Sequence, residues 1–178
     1  MKYKGLKFTE LDKSPDGINS KTILEQLEIL ESQSSCAAKH VACIIFDNYM
    51  GMVSRGFNHS VSDKLPKCCD LFEKRNKLWY SKTTNDLLED QLSHNAWSKS
   101  FEVHAELEAM LSFGFQTHKH CSKPVNLVCT YSPCIDCAKH IVHAGNIQRV
   151  YYINDYDDLT FVKSLFDKCG IELIKLGK

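Results

Sequence analysis

The stretch that decides the fold runs from residue 125 to residue 137 and reads VNLVCTYSPCIDC. Its first half is a nearly continuous apolar run, typical of a buried strand, and Pro133 is well suited to the start of a helix. Cys134 and Cys137 are three residues apart, so both thiolates can reach one metal ion from the first turn of that helix. A strand that leads into a helix places them at a carboxyl edge of the sheet, where open α/β sheets bind ligands.

A second motif, FEVHAE at residues 101–106, lies about thirty residues before the cysteine pair. Zinc normally takes four ligands, and His104 is the candidate third ligand beside Cys134 and Cys137. Glu106 follows the histidine by two residues, where its carboxylate can carry protons to and from a bound water without coordinating the metal. The two motifs together predict an open zinc site with a catalytic glutamate.

Two histidines of the following helix offer a different ligand set for the same cysteine pair. His140 and His143 continue the three-residue spacing of Cys134 and Cys137, so they could in principle close the site as a structural zinc knot. In a helix that begins at Cys134, however, these histidines lie about two and about three turns along the axis, too far for all four side chains to meet one ion. We therefore prefer the open site with His104.

The composition is that of an ordinary globular domain. The chain has 178 residues, of which 43% are hydrophobic and 25% charged, so residues 1–178 are expected to form a single domain with a sizeable core. Residues 1–5 lack the apolar run of a signal peptide, and no segment approaches about eighteen consecutive apolar residues. Nine cysteines in such a chain indicate reduced thiols and metal ligands in the cytoplasm, without a membrane partner.

The charge balance bears on the partner. Twenty-two lysines and arginines match twenty-two aspartates and glutamates, so the net charge is zero with neutral histidines. A polynucleotide partner usually leaves a basic excess or a basic stripe. The composition therefore favours a small-molecule substrate over nucleic acid.

Hydrophobic periodicity predicts a mixed five-stranded sheet with helices on both faces. An insert at about residues 59–100 is too long for a structureless loop. Its apolar residues suggest two short helices, through Leu71, Phe72, Leu78 and Trp79 and through Leu87, Leu88 and Leu92. The other predicted helices cover residues 20–34, 103–115, 134–144 and 158–168, and the predicted strands cover residues 41–46, 50–57, 125–131, 149–154 and 171–176.

His104-Ala105-Glu106 followed by Ser132-Pro133-Cys134-Ile135-Asp136-Cys137 resembles the signature of the zinc-dependent cytidine and deoxycytidylate deaminase superfamily. The resemblance extends over residues 36–176 and includes Gly56-Phe57-Asn58 and Cys68-Cys69-Asp70. It implies the three-layer α/β/α cytidine-deaminase fold and a catalytic zinc ion. The long insert is most similar to that of the deoxycytidylate deaminases.

The resemblance implies hydrolytic deamination of a deoxycytidine nucleotide, most simply dCMP to dUMP and ammonia, which would supply dUMP for thymidylate synthesis. Glu106 would protonate N3 of the cytosine ring and later the departing amine. Three alternatives stay open: dCTP or a 5-modified dCMP as substrate, a tRNA or polynucleotide deaminase, and a non-catalytic member that keeps zinc as structure. The family also implies a homo-oligomer whose neighbouring subunits help to complete the site.

The same resemblance assigns contacts with the substrate. Asn58 would hold the sugar hydroxyl, and the carbonyl of Ser132 would accept the leaving amino group. Ala105 and Tyr156 are the other two implied substrate-binding residues.

A second, structural zinc ion is implied by a group of ligands outside the first site: Cys36, Cys68, His94 and Glu102. Cys36 matches the family position only after a one-residue shift from Ser35. The alternative is that the cysteines of the insert are buried as small apolar residues, as free cysteines often are.

Four departures from the family pattern concern regulation and phosphate binding. Glu108 stands where the family usually has asparagine, and His59 where it usually has glycine. The following turn, residues 60–64, lacks glycine, which argues against regulation by dCTP and TTP. An arginine for phosphate contact is replaced near Phe115, and the candidates left for that contact are Lys64, Lys67, His59 and Tyr156.

Overall fold

The computed structural model describes residues 2–6, 8, 20–48, 51–88, 92–117, 123–156 and 158–177. Its helices are α1 (Ser20–Glu31), α2 (Cys68–Leu71), α3 (Leu92–Phe101), α4 (Ala105–Thr117), α5 (Ile135–Ala144) and α6 (Thr160–Cys169). Its strands are β1 (Ala42–Asp47), β2 (Met52–Phe57), β3 (His59–Ser60), β4 (Phe72–Arg75), β5 (Leu78–Ser81), β6 (Leu87–Leu88), β7 (Glu102–Val103), β8 (Val125–Tyr131), β9 (Ile147–Asn154) and β10 (Glu172–Lys175).

A five-stranded sheet in the order β10-β9-β8-β1-β2 forms the middle layer. Strands β8, β9 and β10 run parallel, whereas β1 is antiparallel to both β8 and β2. The helices α5 and α6 connect the parallel strands, since parallel neighbours need a long crossover. The prediction of a mixed five-stranded sheet is confirmed.

Each face of this sheet buries its own apolar core, because successive side chains of a strand point to opposite faces. On one face, Cys43 and Ile45 of β1 pack with residues of α4, α5 and α6. On the other face, Ile44 and Phe46 pack with α1 and with Phe8. Helices therefore cover both faces, and the predicted three-layer α/β/α fold is confirmed.

The elements around the cysteine pair follow the sequence closely. Strand β8 has the predicted bounds, and Gly145 and Gly170 end α5 and α6 in the left-handed conformation, with φ of 75° and 69°. Glycine adopts this conformation without steric cost and satisfies the last carbonyls of a helix. The local signals therefore determine where the site-bearing segment begins and ends.

The insert differs from its prediction. Of the apolar residues expected in two short helices, only two lie in helices: Leu71 is the last residue of α2 and Leu92 is the first residue of α3. The others form a three-stranded antiparallel sheet of β4, β5 and β6: Phe72, Leu78, Trp79, Leu87 and Leu88. The reason is a hairpin turn at residues 76–77, where Arg75 pairs directly with Leu78. Both turn residues, Asn76 and Lys77, have positive φ, as a two-residue hairpin loop requires.

Gly56 allows β2 and α4 to lie unusually close together. A Cβ atom at this position would lie 2.4 Å from Ala105 O and 2.7 Å from Ala109 N. Because those are backbone atoms of α4, the helix would have to move to make room. The absence of a side chain at Gly56 therefore sets the position of the helix that follows His104.

We predict that Gly56→Ala lowers the free energy of unfolding by about 1–3 kcal/mol, because a methyl group forced into a packed contact displaces the backbone. Chemical denaturation of the parent and the variant measures this difference. Gly177→Ala is the matched control, since an added Cβ there has no atom within 4 Å. Equal stability of the two variants would contradict the close approach.

Candidate active site and metal centres

Two helix starts carry the first candidate metal site. His104 directly precedes α4, and Cys134 is the residue that caps the start of α5, where its Sγ accepts a hydrogen bond from Cys137 N at 3.5 Å. Cys137 is buried and lies in the first turn of that helix. The two segments meet at the end of β8, which is the carboxyl edge predicted from the sequence.

The distances within this cluster fit a zinc ion. His104 Nδ1 lies 3.6 Å from Cys134 Sγ and 3.4 Å from Cys137 Sγ, and the three ligand atoms all lie within 4.8 Å of one another. Tetrahedral zinc with bonds of about 2.3 Å to sulfur and about 2.0 Å to nitrogen places these atoms about 3.5 Å apart. Because the cluster offers three ligands, such a site keeps one coordination position open.

The charges in this cluster are arranged for a cation. A hydrogen bond from Cys137 lowers the pKa of Cys134 to about 4, and contact with Cys134 raises the pKa of His104 to about 9. The neighbouring Cys134 thiolate and burial raise the pKa of Cys137. A divalent cation bound here would displace protons from these thiols, because metal ligands are deprotonated.

Glu106 lies beside this cluster without belonging to it. Its side chain is buried and is within hydrogen-bond reach of Cys137. Burial raises its pKa to about 7, since a charged carboxylate loses hydration in the interior. A carboxyl group with such a pKa can both accept and donate a proton near neutral pH.

The alternative zinc knot with the later histidines does not form. His140 and His143 are exposed, and the described ligands close to Cys134 and Cys137 include His104 but neither of these two. They lie further along α5, as helix geometry requires.

A second cluster brings together the four residues implied for a structural zinc: Cys36, Cys68, His94 and Glu102. Cys36 Sγ lies 3.6 Å from His94 Nε2, a separation that also fits a sulfur and a nitrogen on one zinc ion. Four ligands are enough to close a tetrahedral site. The cluster includes Cys36, the residue that matches the family position after the one-residue shift from Ser35.

The second cluster contains one buried polar atom that is left without a hydrogen bond. One carboxylate oxygen of Glu102, Oε1, is buried without a hydrogen-bond partner among the described residues, while its second oxygen accepts a hydrogen bond from Ser98. Contact with Cys68 lowers the pKa of Cys36 to about 3, and burial raises the pKa of Glu102 to about 7. The Cys36 thiol, with its lowered pKa, and the Glu102 oxygen without a hydrogen bond belong to the same cluster. Their proximity favours a bound cation.

The residues implied as substrate contacts differ in their surroundings. Asn58 is buried, and its Oδ1 accepts hydrogen bonds from Ser34 Oγ at 2.6 Å and Val41 N at 2.8 Å. Its Nδ2 donates to Lys39 O at 2.9 Å. The side chain therefore holds the loop between α1 and β1, and one N–H of Nδ2 is left over from these bonds.

Ser132 and Tyr156 are brought together by the fold. Tyr156 N donates to Ser132 Oγ at 2.8 Å, and Ser132 N donates to Asn154 O at 2.8 Å. These bonds hold Ser132, which stands two residues before Cys134, against the end of β9. Ala105 is buried at the start of α4.

The four residues named for phosphate contact lie in different surroundings. Lys64 and Lys67 are exposed, whereas His59 Nε2 pairs with Glu108 Oε1 at 3.3 Å. The ring of Tyr156 instead meets Lys39, whose Nζ lies 4.0 Å from the ring centre. This contact was not predicted from the sequence, because Lys39 stands in a loop and belongs to no motif.

The two departures at positions 59 and 108 contact each other. Glu108 Oε2 accepts a hydrogen bond from Phe57 N at 2.7 Å, while the other oxygen pairs with His59. One carboxylate therefore ties the end of β2 to α4, directly beside Asn58.

A three-layer α/β/α fold with an open cysteine and histidine cluster at a sheet edge, next to a buried glutamate, defines a class of metal-binding hydrolytic enzymes. The family model of the cytidine and deoxycytidylate deaminase zinc-binding region matches residues 19–154. The chain belongs to this family.

Relatives match the chain over most of its length. It is 28% identical over 182 residues to the deoxycytidylate deaminase of Enterobacteria phage T4, covering 90% of this chain and 91% of that protein. The deoxycytidylate deaminase of Pongo abelii is 32% identical over 107 residues, or 54% and 57% of the two chains. The cyanophage S-TIM5 dCMP deaminase in complex with dCMP and dUMP has the same fold, with a TM-score of 0.60 at 24% identity over 87% and 94% of the chains.

Among the described residues, no helix is both long and apolar enough to cross a membrane.

We predict that the purified protein holds about two zinc ions per chain and that Cys68→Ala holds about one, because removing a ligand from a closed site weakens metal binding strongly. Elemental analysis measures the metal content. Cys69→Ala is the matched control, since the Cys69 thiol lies outside both clusters. A single zinc ion in the parent, or equal metal content in the two variants, would contradict a second metal site.

Proposed function

We propose that the protein catalyses zinc-dependent hydrolytic deamination of a deoxycytidine nucleotide, most simply dCMP to dUMP and ammonia. The observation that carries this proposal is the cluster of His104, Cys134 and Cys137 with Glu106 buried beside it. The choice of substrate is supported by the similarity to the deoxycytidylate deaminase of phage T4 over 90% of the chain. The product dUMP would supply thymidylate synthesis.

The residues of the first cluster have separate roles in this proposal. His104, Cys134 and Cys137 would hold a zinc ion, which when bound would supply Lewis-acid activation of a water molecule. Glu106 takes a proton from the attacking water, transfers it to N3 of the cytosine ring and then delivers a proton to the departing amine. The C4–N bond breaks as a C4–O bond forms, so one water is consumed for each ammonia released.

The neighbouring polar groups position the substrate. Ser132 is held by the hydrogen bonds of its N–H to Asn154 O and of its Oγ to Tyr156 N, and its carbonyl accepts a hydrogen bond from the leaving amino group. The remaining N–H of Asn58 donates to the sugar hydroxyl. Ala105, at the start of α4, and Tyr156, just after β9, line the substrate.

The second cluster has a structural role in the proposal. Zinc bound by Cys36, Cys68, His94 and Glu102 closes a four-ligand site and ties the loop after α1 to the insert and to β7. This loop also includes the backbone groups that Asn58 binds. The second metal therefore stabilises the wall of the substrate site without taking part in the reaction.

The remaining parts of the proposal concern organisation. Residues 1–178 act as one domain with the insert at about 59–100, and copies of the chain assemble into a homo-oligomer in the cytoplasm. The zero net charge favours a free nucleotide over a tRNA substrate, and the presence of Glu106 favours an active enzyme over a structural zinc protein.

We predict that the zinc-loaded protein releases ammonia from dCMP and changes the ultraviolet absorbance of the base. Assays with dCTP, deoxycytidine and 5-substituted dCMP in parallel identify the preferred phosphate count and ring substituent. Turnover of dCTP or of a modified dCMP in preference to dCMP would identify the alternative nucleotide substrate. Absence of turnover with all four compounds would contradict the proposed function.

We predict that Glu106→Gln keeps its zinc but loses activity on the preferred substrate by about 10²–10⁴-fold or more, because the amide cannot carry the proton. Steady-state kinetics and elemental analysis measure the two properties. Glu108→Gln is the control on the same helix, since it keeps an oxygen that can accept from Phe57 N. Near-native rates in Glu106→Gln would place the proton transfer on another group.

A further inference from the structure

We propose that Trp79 positions the imidazole of His94 for metal binding and shields it from water, an inference that rests on the second metal site of the proposed function. Trp79 lies on β5, the middle strand of the three-stranded sheet in the insert. Its side chain offers no metal ligand, and no motif marks it. In this role, the sheet of the insert serves to retain a metal ion.

The indole of Trp79 lies flat on the imidazole of His94. The two ring centres are 4.4 Å apart and the ring planes differ by 25°, whereas the ring of Phe72 meets the same imidazole edge-on, at 5.7 Å and 79°. An imidazole can otherwise turn about its χ2 bond, whose preferred angles are broad. Aromatic contacts on a face and at an edge define one orientation of its plane.

The plane held in this way presents one particular nitrogen to the cluster. His94 Nε2 lies 3.6 Å from Cys36 Sγ, and the other ring nitrogen, Nδ1, lies 3.4 Å from Asn95 Oδ1. An amide oxygen only accepts hydrogen bonds, so Nδ1 carries a proton in this contact and donates it. In the neutral imidazole, Nε2 then keeps the lone pair with which histidine binds a metal ion.

The two thiols of the second cluster have supporting partners of their own. Ala37 N donates a hydrogen bond to Cys68 Sγ at 3.2 Å, and Ala38 N donates one to Cys36 Sγ at 3.4 Å. Partners of this kind orient metal ligands, and their loss typically weakens metal binding by about 10–100-fold. For the imidazole ligand, the corresponding support is the stacked indole.

The indole also shields the imidazole. Trp79 is 4% exposed and His94 is 3% exposed, so bulk water does not reach the stacked faces of the two rings. An apolar shell around a metal site limits the access of solvent to its ligands. The same contact thus fixes the imidazole and slows the loss of a bound ion.

The second tryptophan of the chain offers a matched comparison, since the sequence contains two. Trp97 lies in α3, as does His94, and its ring contacts Phe72 at 6.0 Å and Phe101 at 5.9 Å. Of the two indoles, that of Trp79 is the one stacked on His94. Variants of the two residues therefore separate the positioning of a ligand from the general packing of the insert.

The first test is the release of zinc from the zinc-loaded protein to a chelator. We predict that Trp79→Leu loses its second zinc ion about 10–100-fold faster than the parent, because the imidazole becomes free to turn and open to water. The second ion is identified as the one that is missing from Cys68→Ala. Trp79→Phe, which keeps a stacked ring, and Trp97→Leu are both expected to release zinc at close to the parental rate.

A fluorescence measurement tests the contact itself and leaves Trp79 in place. In Trp97→Phe, Trp79 is the remaining tryptophan. Cobalt(II) bound at the second cluster is expected to quench its emission, because a paramagnetic ion quenches an indole that is stacked on one of its ligands. Most of this quenching is expected to be lost when Trp97→Phe is combined with Cys68→Ala, where cobalt(II) binds at the first cluster alone.

The outcomes separate this role from the rest of the proposed function. Unchanged zinc release in Trp79→Leu, equally faster release in Trp97→Leu, or equal quenching with and without Cys68 would overturn the role of Trp79. A parent that holds a single zinc ion would overturn the second metal site and the role of Trp79 together. A parent that holds two zinc ions but deaminates no deoxycytidine compound would overturn the proposed activity, while zinc release would still decide the role of Trp79.

Discussion

The site depends on the contact between the starts of two helices. His104 precedes α4, while Cys134 and Cys137 lie at the start of α5, and the thiol and imidazole atoms of the two segments approach within 3.4–3.6 Å. This approach is set by the sheet, because β8 leads into α5 and β2 holds α4 close through Gly56. The candidate metal ligands are therefore positioned by the sheet and by the close approach of β2 and α4, and a displacement of α4 would separate them.

The two candidate metal clusters are connected through the chain. Glu102, a member of the second cluster, stands on β7 two residues before His104, a member of the first. The loop that includes Cys36 also contains the carbonyl of Lys39 and the amide of Val41, to which Asn58 is bound. In the proposed function, a metal ion held by the second cluster would order one wall of the candidate active site.

Local patterns predicted the regular part of the fold well. The buried strand Val125–Tyr131, the ends of α5 and α6 at glycine and the alternation of strands and helices all follow from interactions between residues near in sequence. The insert was predicted less well, since its turn at Asn76 and Lys77 has positive φ without the glycine that usually signals such a hairpin. Its apolar residues were therefore interpreted as helical when they form cross-strand pairs.

The sequence by itself determined the chemistry: two thiols at the spacing of one helical turn, a histidine and a glutamate that follow a fixed motif, and the α/β order that places them at a sheet edge. The tertiary structure decided which distant residues meet. Cys36 and His94 are 58 residues apart and His104 and Cys134 are 30 apart, and only chain packing brings such pairs within the few ångströms that a metal ion requires. The same packing brings Lys39, which precedes β1, to Tyr156, which follows β9. No local pattern predicts this contact, because the two residues are 117 positions apart.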